Sequence, residues 1–253
     1  MSPRATEPAV RGRAGRVHAY WLEPRAPGLP ELASLEAELE ASQRRLLAVR
    51  RRPEARRALL VGRALLRRAV ARWLGAPAQE VQLEGGGRGP LRLAGTSGSA
   101  LRLSLSHTPG LVACAVADVG VGIDVESLGR AVAALRLARR FFSPAEAEEL
   151  GVAPPAARRA HFLALWTAKE AALKACGLGL AAGLDSVAIE GSPASSPRAA
   201  RIRGRRLALR AILVAGHRVA LAAEGESAVL SIDPGLALFA PGPQALPAGG
   251  EGG

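Results

Sequence analysis

The 253-residue sequence predicts an α+β protein, a pseudo-dimer of two similar lobes in which each β-sheet packs against a long helix. Three observations carry that expectation. The order strand, helix, paired strands occurs twice along the chain. The hydrophobic period changes from helical to alternating after EGGGRGP, residues 84–90, and back again before the second long helix. Apolar residues make up 49% of the chain and aromatics only 3%, so a sizeable core is available, built largely of Leu, Val and Ala. The duplication rests on element order, because no residue-level repeat accompanies it.

Taken in order, residues 1–15 are polar and Gly/Pro-punctuated and read as a disordered tail. The first lobe, 16–117, opens with a strand in VHAYWL, closed by Pro24. Glu31 to Leu47 is amphipathic. After Pro53, Leu59, Leu60, Leu65, Leu66, Val70 and Trp73 recur at helical spacing with arginines between them, and Gly75 and Pro77 stop the helix. LRLSLSHT alternates Leu with Arg or Ser and predicts a half-buried strand, turned by Pro109-Gly110 into LVACAVADVGVGIDVE. The second lobe, 118–232, continues with FFSPAEAEEL, where Ser143 is placed to cap a helix starting at Pro144. A helix follows from about Arg158 to Ala175, then strands in LDSVAIEG, RRLALRAILVAGHRVALAAEG and AVLSID. Residues 233–253 are Pro/Gly-rich and read as a second tail.

The net charge of +12 favours acidic partners. Two cysteines, Cys114 and Cys176, are too few for a disulfide scaffold or zinc site, which points to a reducing cytoplasmic setting. The start of the chain has no apolar signal segment, and no apolar run has the 18 or more residues of a membrane span.

Two short segments carry candidate chemistry. In GIDVE, Asp124 and Glu126 lie two apart on a strand and so share one face, opposite Ile123 and Val125. Paired carboxylates suit a hard divalent cation, or are simply a solvated strand end. In WTAKEAALK, Glu170 and Lys174 share a helix face, either as a surface ion pair or as a third acid with an ammonium one turn away. Lys169 and Lys174 are the only lysines in a chain with 34 Lys plus Arg. An ammonium is a compact point charge where guanidinium is a broad fork, so a position that keeps lysine here fits a crowded site.

GIDVE followed by WTAKEAALK resembles the paired signature of the 4′-phosphopantetheinyl transferases, in their larger, two-lobed, surfactin-synthetase-activating class. LSLSHTPGLVACAV, FFSPAEAEEL, KACGLGL, RRALLVGRALLR and GRGP resemble further segments of that family, so the resemblance covers roughly residues 17–232. It implies transfer of the phosphopantetheine arm of coenzyme A to a serine of an acyl or peptidyl carrier protein, releasing 3′,5′-ADP. It places the active site in a cleft between the lobes. By position, Asp124, Glu126 and Glu170 match the Mg²⁺-binding acids, and Glu170 also matches the acid proposed as general base. Lys174 matches a lysine on the CoA phosphates, Ser106 and His107 match phosphate-contacting positions, and Arg57 and Arg88 match basic positions at the 3′-phosphate end. Arg88 stands where lysine is common, and Ala58 where a hydroxyl is often found. The implied partners are CoA and acidic carrier proteins, with a monomeric enzyme and neither nucleic acid nor membrane. The competing reading is a basic polyanion- or nucleic-acid-binding protein that uses the arginine-lined helix at 56–72. The scarcity of aromatics for base stacking speaks against it.

Overall fold

The computed structural model describes residues 15–86, 90–95, 101–179, 182–191, 199–225 and 230–240. The fold is mixed α+β. Its first part runs β1 (Val17–Leu22), α1 (Leu32–Ala37), α2 (Ala41–Ala48), α3 (Pro53–Leu74), β2 (Leu83–Glu84), β3 (Arg92–Leu93), β4 (Arg102–Thr108) and β5 (Leu111–Ala117). The second part runs β6 (Val121–Ser127), α4 (Ala134–Phe141), α5 (Pro144–Val152), α6 (Pro155–Ala175), β7 (Val187–Glu190), β8 (Ala199–Ile202), β9 (Arg205–Val214), β10 (His217–Glu224) and β11 (Ile232–Pro234).

Two main sheets result, ordered β11-β1-β5-β4 and β6-β10-β9-β8-β7. In each, the opening strand lies antiparallel to the second strand of a hairpin, β1 beside β5 and β6 beside β10. The long helix α3 covers one sheet and α6 the other. The apolar run in β5 is buried throughout because both its faces are covered. Val112, Cys114 and Val116 pack with the α3 core, whereas Leu111, Ala113, Ala115 and Ala117 join Ile123, Val125, Val219 and Leu221 between the sheets.

Three details depart from the sequence expectations. The amphipathic stretch 31–47 is two short helices rather than one. The break at 38–40 delivers two acids to α3: Glu38 accepts two 2.8 Å bonds from Arg68, and Glu40 accepts one of 2.7 Å from Arg67. Strand β4 is not half-exposed. Its serines are more deeply buried than its leucines, because Ser104 and Ser106 face β6, where the Ile123 amide donates to Ser104 Oγ at 3.0 Å. A serine face survives burial when its hydroxyls satisfy neighbouring polar groups. Finally, residues 233–240, read from sequence as tail, lie on the first sheet. β11 pairs parallel to β1 with Tyr20 opposite Asp233, and Leu238 and Phe239 pack on the α3 core. Leu238 and Phe239 find apolar contacts only because the chain returns across the molecule, which local composition does not encode.

His217 joins the halves at one end, with Nε2 2.8 Å from the Pro109 carbonyl and Nδ1 2.6 Å from that of Ala215. No helix among the described residues is long and apolar enough to cross a membrane.

Candidate active site

Side chains alternate along β6, so Val121, Ile123 and Val125 enter the inter-sheet core while Gly122, Asp124 and Glu126 face α6. Gly122 sets how close that helix comes. A Cβ there would lie 2.0 Å from the Ala171 carbonyl oxygen and 2.7 Å from Lys174 Cβ. The absent side chain lets the last turns of α6 rest on the strand and brings Lys174 onto it. Gly122→Ala is therefore expected to lower Tm, since overpacking of this kind costs about 1–3 kcal/mol. Because the helix must move away, activity should fall further than the loss of folded protein explains, which thermal melts beside turnover measurements will separate.

Lys174 does not pair with Glu170 one turn back on its own helix. Its Nζ donates to Asp124 Oδ1 at 2.7 Å and to the Ile123 carbonyl at 3.2 Å. Ser106 Oγ donates to the same Asp124 oxygen at 2.8 Å from the edge strand of the other sheet. Asp124 is thus the point where the two sheets and α6 meet. Glu126, also buried, accepts from Arg130 Nη1 at 2.5 Å. Burial raises the Glu126 carboxyl above its usual range, and Arg130 opposes that shift.

Glu170 makes no hydrogen bond or ion pair among the described residues. Burial raises its pKa to about 7, and the charges of Asp124 and Glu126 add to the rise while Lys174 and Arg130 pull against it. A carboxyl that titrates near neutrality beside two other acids is suited to accepting a proton. His107, at the end of β4, keeps an accessible edge. Partial enclosure, then the charges of Arg50, Lys174 and Arg63, lower its pKa.

The structure thus brings together Ser106, His107, Asp124, Glu126, Glu170 and Lys174. Arg57 is half-buried on α3 and makes no polar contact among the described residues, and Arg88 lies outside them. Among the described residues, no group of three or more His, Cys, Asp or Glu is gathered as a metal cluster. Lys174 and Arg130 occupy carboxylate oxygens that a cation would share. In kind the donors fit a hard divalent ion: Asp124 and Glu126 on β6 and Glu170 on the helix they face are all carboxylates. A separate depression between α4 and α5, lined by Arg139, Phe142, Pro144 and Val152, contains none of these residues.

Sequence reasoning missed Gly122 and Arg130, and it left Lys169 without a role. Gly122 was visible only as part of GIDVE, and Arg130 carried no signal in an arginine-rich chain. Lys169 has no exposed surface. Its Nζ lies 2.8 Å from Glu146 Oε1 and donates to the Leu184 and Val187 carbonyls at 3.0 and 2.5 Å. The other oxygen of Glu146 accepts from the Ser143 amide and hydroxyl, closing a capping box on α5. Phe142 stacks on Phe162 with centroids 5.2 Å apart, in contact with Trp166. FFSPAEAEEL is thereby the brace that holds α6 in place.

Residues 120–222 match the sequence profile of the family described as the 4′-phosphopantetheinyl transferase superfamily. The chain is 38% identical over 131 residues to the 4′-phosphopantetheinyl transferase HetI of Nostoc sp. (strain PCC 7120), a stretch covering 51% of this chain and 55% of that protein. It is 35% identical over 135 residues to the 4′-phosphopantetheinyl transferase psf-1 of Bacillus pumilus, covering 53% and 55%. It is 34% identical over 89 residues to a 4′-phosphopantetheinyl transferase of Bacillus subtilis, covering 35% and 39%. The chain spans just over half the length of the first two of these relatives.

Proposed function

We propose that this chain, whose residues 120–222 form a domain of the 4′-phosphopantetheinyl transferase superfamily, moves the phosphopantetheine arm of CoA onto a serine of an apo carrier protein. The observation that carries the reading is the meeting of Asp124, Glu126, Glu170 and Lys174 at one edge of the second sheet, inside the matched segment.

In this reaction the serine oxygen attacks the phosphorus that bears the pantetheine arm. A P–O bond forms to serine, the bond to the bridging oxygen breaks, and 3′,5′-ADP leaves. Such transfer depends mainly on positioning and charge neutralisation. Glu170 accepts the serine proton. Lys174 offers its remaining N–H donors to a phosphate oxygen, and Ser106 holds Asp124 in place. His107, kept toward its neutral form, accepts or donates one hydrogen bond at the phosphates. Asp124, Glu126 and Glu170 would hold Mg²⁺, which when bound supplies charge neutralisation at the pyrophosphate.

We read the two sheets, each with its long helix, as lobes related by duplication, 16–117 and 118–232, with CoA in the cleft between them. Arg57 and Arg88 are assigned to its 3′-phosphate end. The basic charge suits an acidic carrier, for which it speeds encounter more than it deepens affinity. The enzyme is taken as a cytoplasmic monomer, with neither nucleic acid nor membrane as partner.

Intact-mass measurement of apo carrier proteins incubated with the protein, CoA and Mg²⁺ tests this. A single phosphopantetheine gain on the carrier serine is expected, and its loss when the metal is removed with EDTA. A folded protein that neither modifies a carrier nor binds CoA would overturn the reading.

A further inference from the structure

His217 is a buried ionisable side chain that the chemistry above does not use. It opens β10 with 8% of its surface exposed, on the strand face that carries Val219 and Leu221 into the inter-sheet core. Its ring sits under the turn between β4 and β5. Nε2 lies 2.8 Å from the Pro109 carbonyl oxygen, and a Cβ on Gly110 would stand 3.1 Å from Cε1 and 3.3 Å from Nε2. Gly110 has φ of +92°, so both the shape of this turn and its closeness to the ring favour glycine.

The other ring nitrogen is held by its own hairpin. Nδ1 lies 2.6 Å from the Ala215 carbonyl oxygen, in a turn where Ala215 and Gly216 have φ of +47° and +72°. The Gly216 carbonyl accepts from the Leu128 amide at 3.0 Å, which pins that turn to the end of β6. Two carbonyl oxygens thus face one ring. A carbonyl only accepts, so a protonated ring serves both and a neutral ring serves one. The two turns, Pro109-Gly110 and Ala215-Gly216, contribute no titratable side chain. Ser127 stands opposite His217 on β6, and Glu126 and Arg218 lie on the other face of their strands. Arg210 shares the face of His217, four residues along β9 from its partner Val214.

The turn that His217 grips ends a strand carrying site residues. Pro109 follows Ser106 and His107 by three and two residues. β4 is the edge of its sheet, paired only with β5 among the described residues, so side chains set its place over β6. Ser104 accepts from the Ile123 amide at 3.0 Å, and Ser106 donates to Asp124 at 2.8 Å. The His217 bond ties down the end of the same strand, just past His107. An apolar side chain would fill this space at lower desolvation cost, so what the imidazole adds is the bond between the sheets.

We propose that His217 is a positioning residue for phosphopantetheine transfer. Through Pro109 it fixes the end of β4 on the second sheet, and with it the places of Ser106 and His107 relative to Asp124 and Lys174. The inference rests on the transferase reading. It assigns the role to the bond from Nε2 across the sheets, not to the bond from Nδ1 within the hairpin.

Three variants of the full chain separate the two bonds. His217→Gln sets an amide nitrogen near the Nε2 position and keeps the bond to Pro109. His217→Asn reaches only the Ala215 carbonyl, and His217→Phe keeps a ring without donors. Each is measured for kcat and KM per folded molecule, with CoA and carrier varied separately, and for amide exchange by mass spectrometry without ligands. Expected in His217→Asn and His217→Phe is a loss of roughly ten- to a hundredfold in kcat/KM for CoA. Faster exchange over residues 104–108 should accompany it, and His217→Gln should recover most of both effects. A structural role alone would lower Tm and the folded fraction in all three variants and leave kcat/KM per folded molecule unchanged. That pattern overturns the assignment and spares the transferase reading. Faster exchange in β4 beside a wild type that neither modifies a carrier nor binds CoA sinks the transferase reading, and the positioning role with it. If His217→Asn does not fold, His217→Phe against His217→Gln carries the same comparison.

Discussion

Glu170→Gln should abolish transfer while making the metal-free protein more stable above neutral pH. The two effects have one cause. Burial, assisted by Asp124 and Glu126, raises the folded pKa of Glu170 to about 7 from an ordinary 4.5. The native state therefore binds this proton more tightly than the unfolded chain does. The resulting stabilisation is full below about pH 4.5 and is lost as pH rises through 7. Above that, the fold carries a charge it would rather not hold, a penalty on the order of 2–3 kcal/mol. A neutral amide removes the penalty and also the proton acceptor. Loss of a general base costs about 10²- to 10⁴-fold in rate. Thermal melts in EDTA at pH 5 and pH 8 should show variant and wild type converging at the lower pH and the variant higher at the upper one. Added Mg²⁺ should then stabilise the wild type more than the variant. A variant that is stabilised yet fully active would remove Glu170 from the chemistry.

The second large effect separates the two lysines. Lys169→Ala should destabilise the protein by about 3–5 kcal/mol, because it takes the counter-charge from Glu146, leaves the Leu184 and Val187 carbonyls without their donor and empties a position with no exposed surface. At this chain length that corresponds to a Tm loss on the order of 10 °C. Lys174→Ala strips Asp124 of its ammonium, but Ser106 still donates to that carboxylate and Lys174 itself is 31% exposed, so the stability cost should be the smaller of the two while the rate cost is large. The double variant Lys169→Met, Glu146→Gln removes both charges of the pair and should recover much of the lost stability, since a largely buried pair can often be replaced by neutral groups at little net cost. Calorimetric melts and turnover on all three decide it. Equal stability loss in Lys169→Ala and Lys174→Ala would show that the brace and the site are not distinct.

How much of this could be read from the chain alone is clearest at particular residues. The long helices announce themselves through apolar spacing and through their stop signals, as at Gly75, which adopts φ of 66°. The Ser143 cap is legible because a capping box is a local pattern of four residues. The break between α1 and α2 is not legible, because it answers to Arg67 and Arg68 about thirty residues away. The same holds for β11, whose place beside β1 depends on a strand more than two hundred residues earlier. Among site residues, Arg88 lies outside the described residues.

By itself the sequence determined the facing of side chains: Asp124 with Glu126 on one side of a strand, Glu170 with Lys174 on one side of a helix. Backbone periods of two and 3.6 settle those relations locally. Tertiary structure alone decided partners and protonation. It turned Lys174 toward Asp124 rather than Glu170, buried Lys169 on Glu146, and enclosed Glu170 until its carboxyl titrates near 7. Electrostatic energy depends on distance and on exclusion of water, and both are set by elements far apart in the chain.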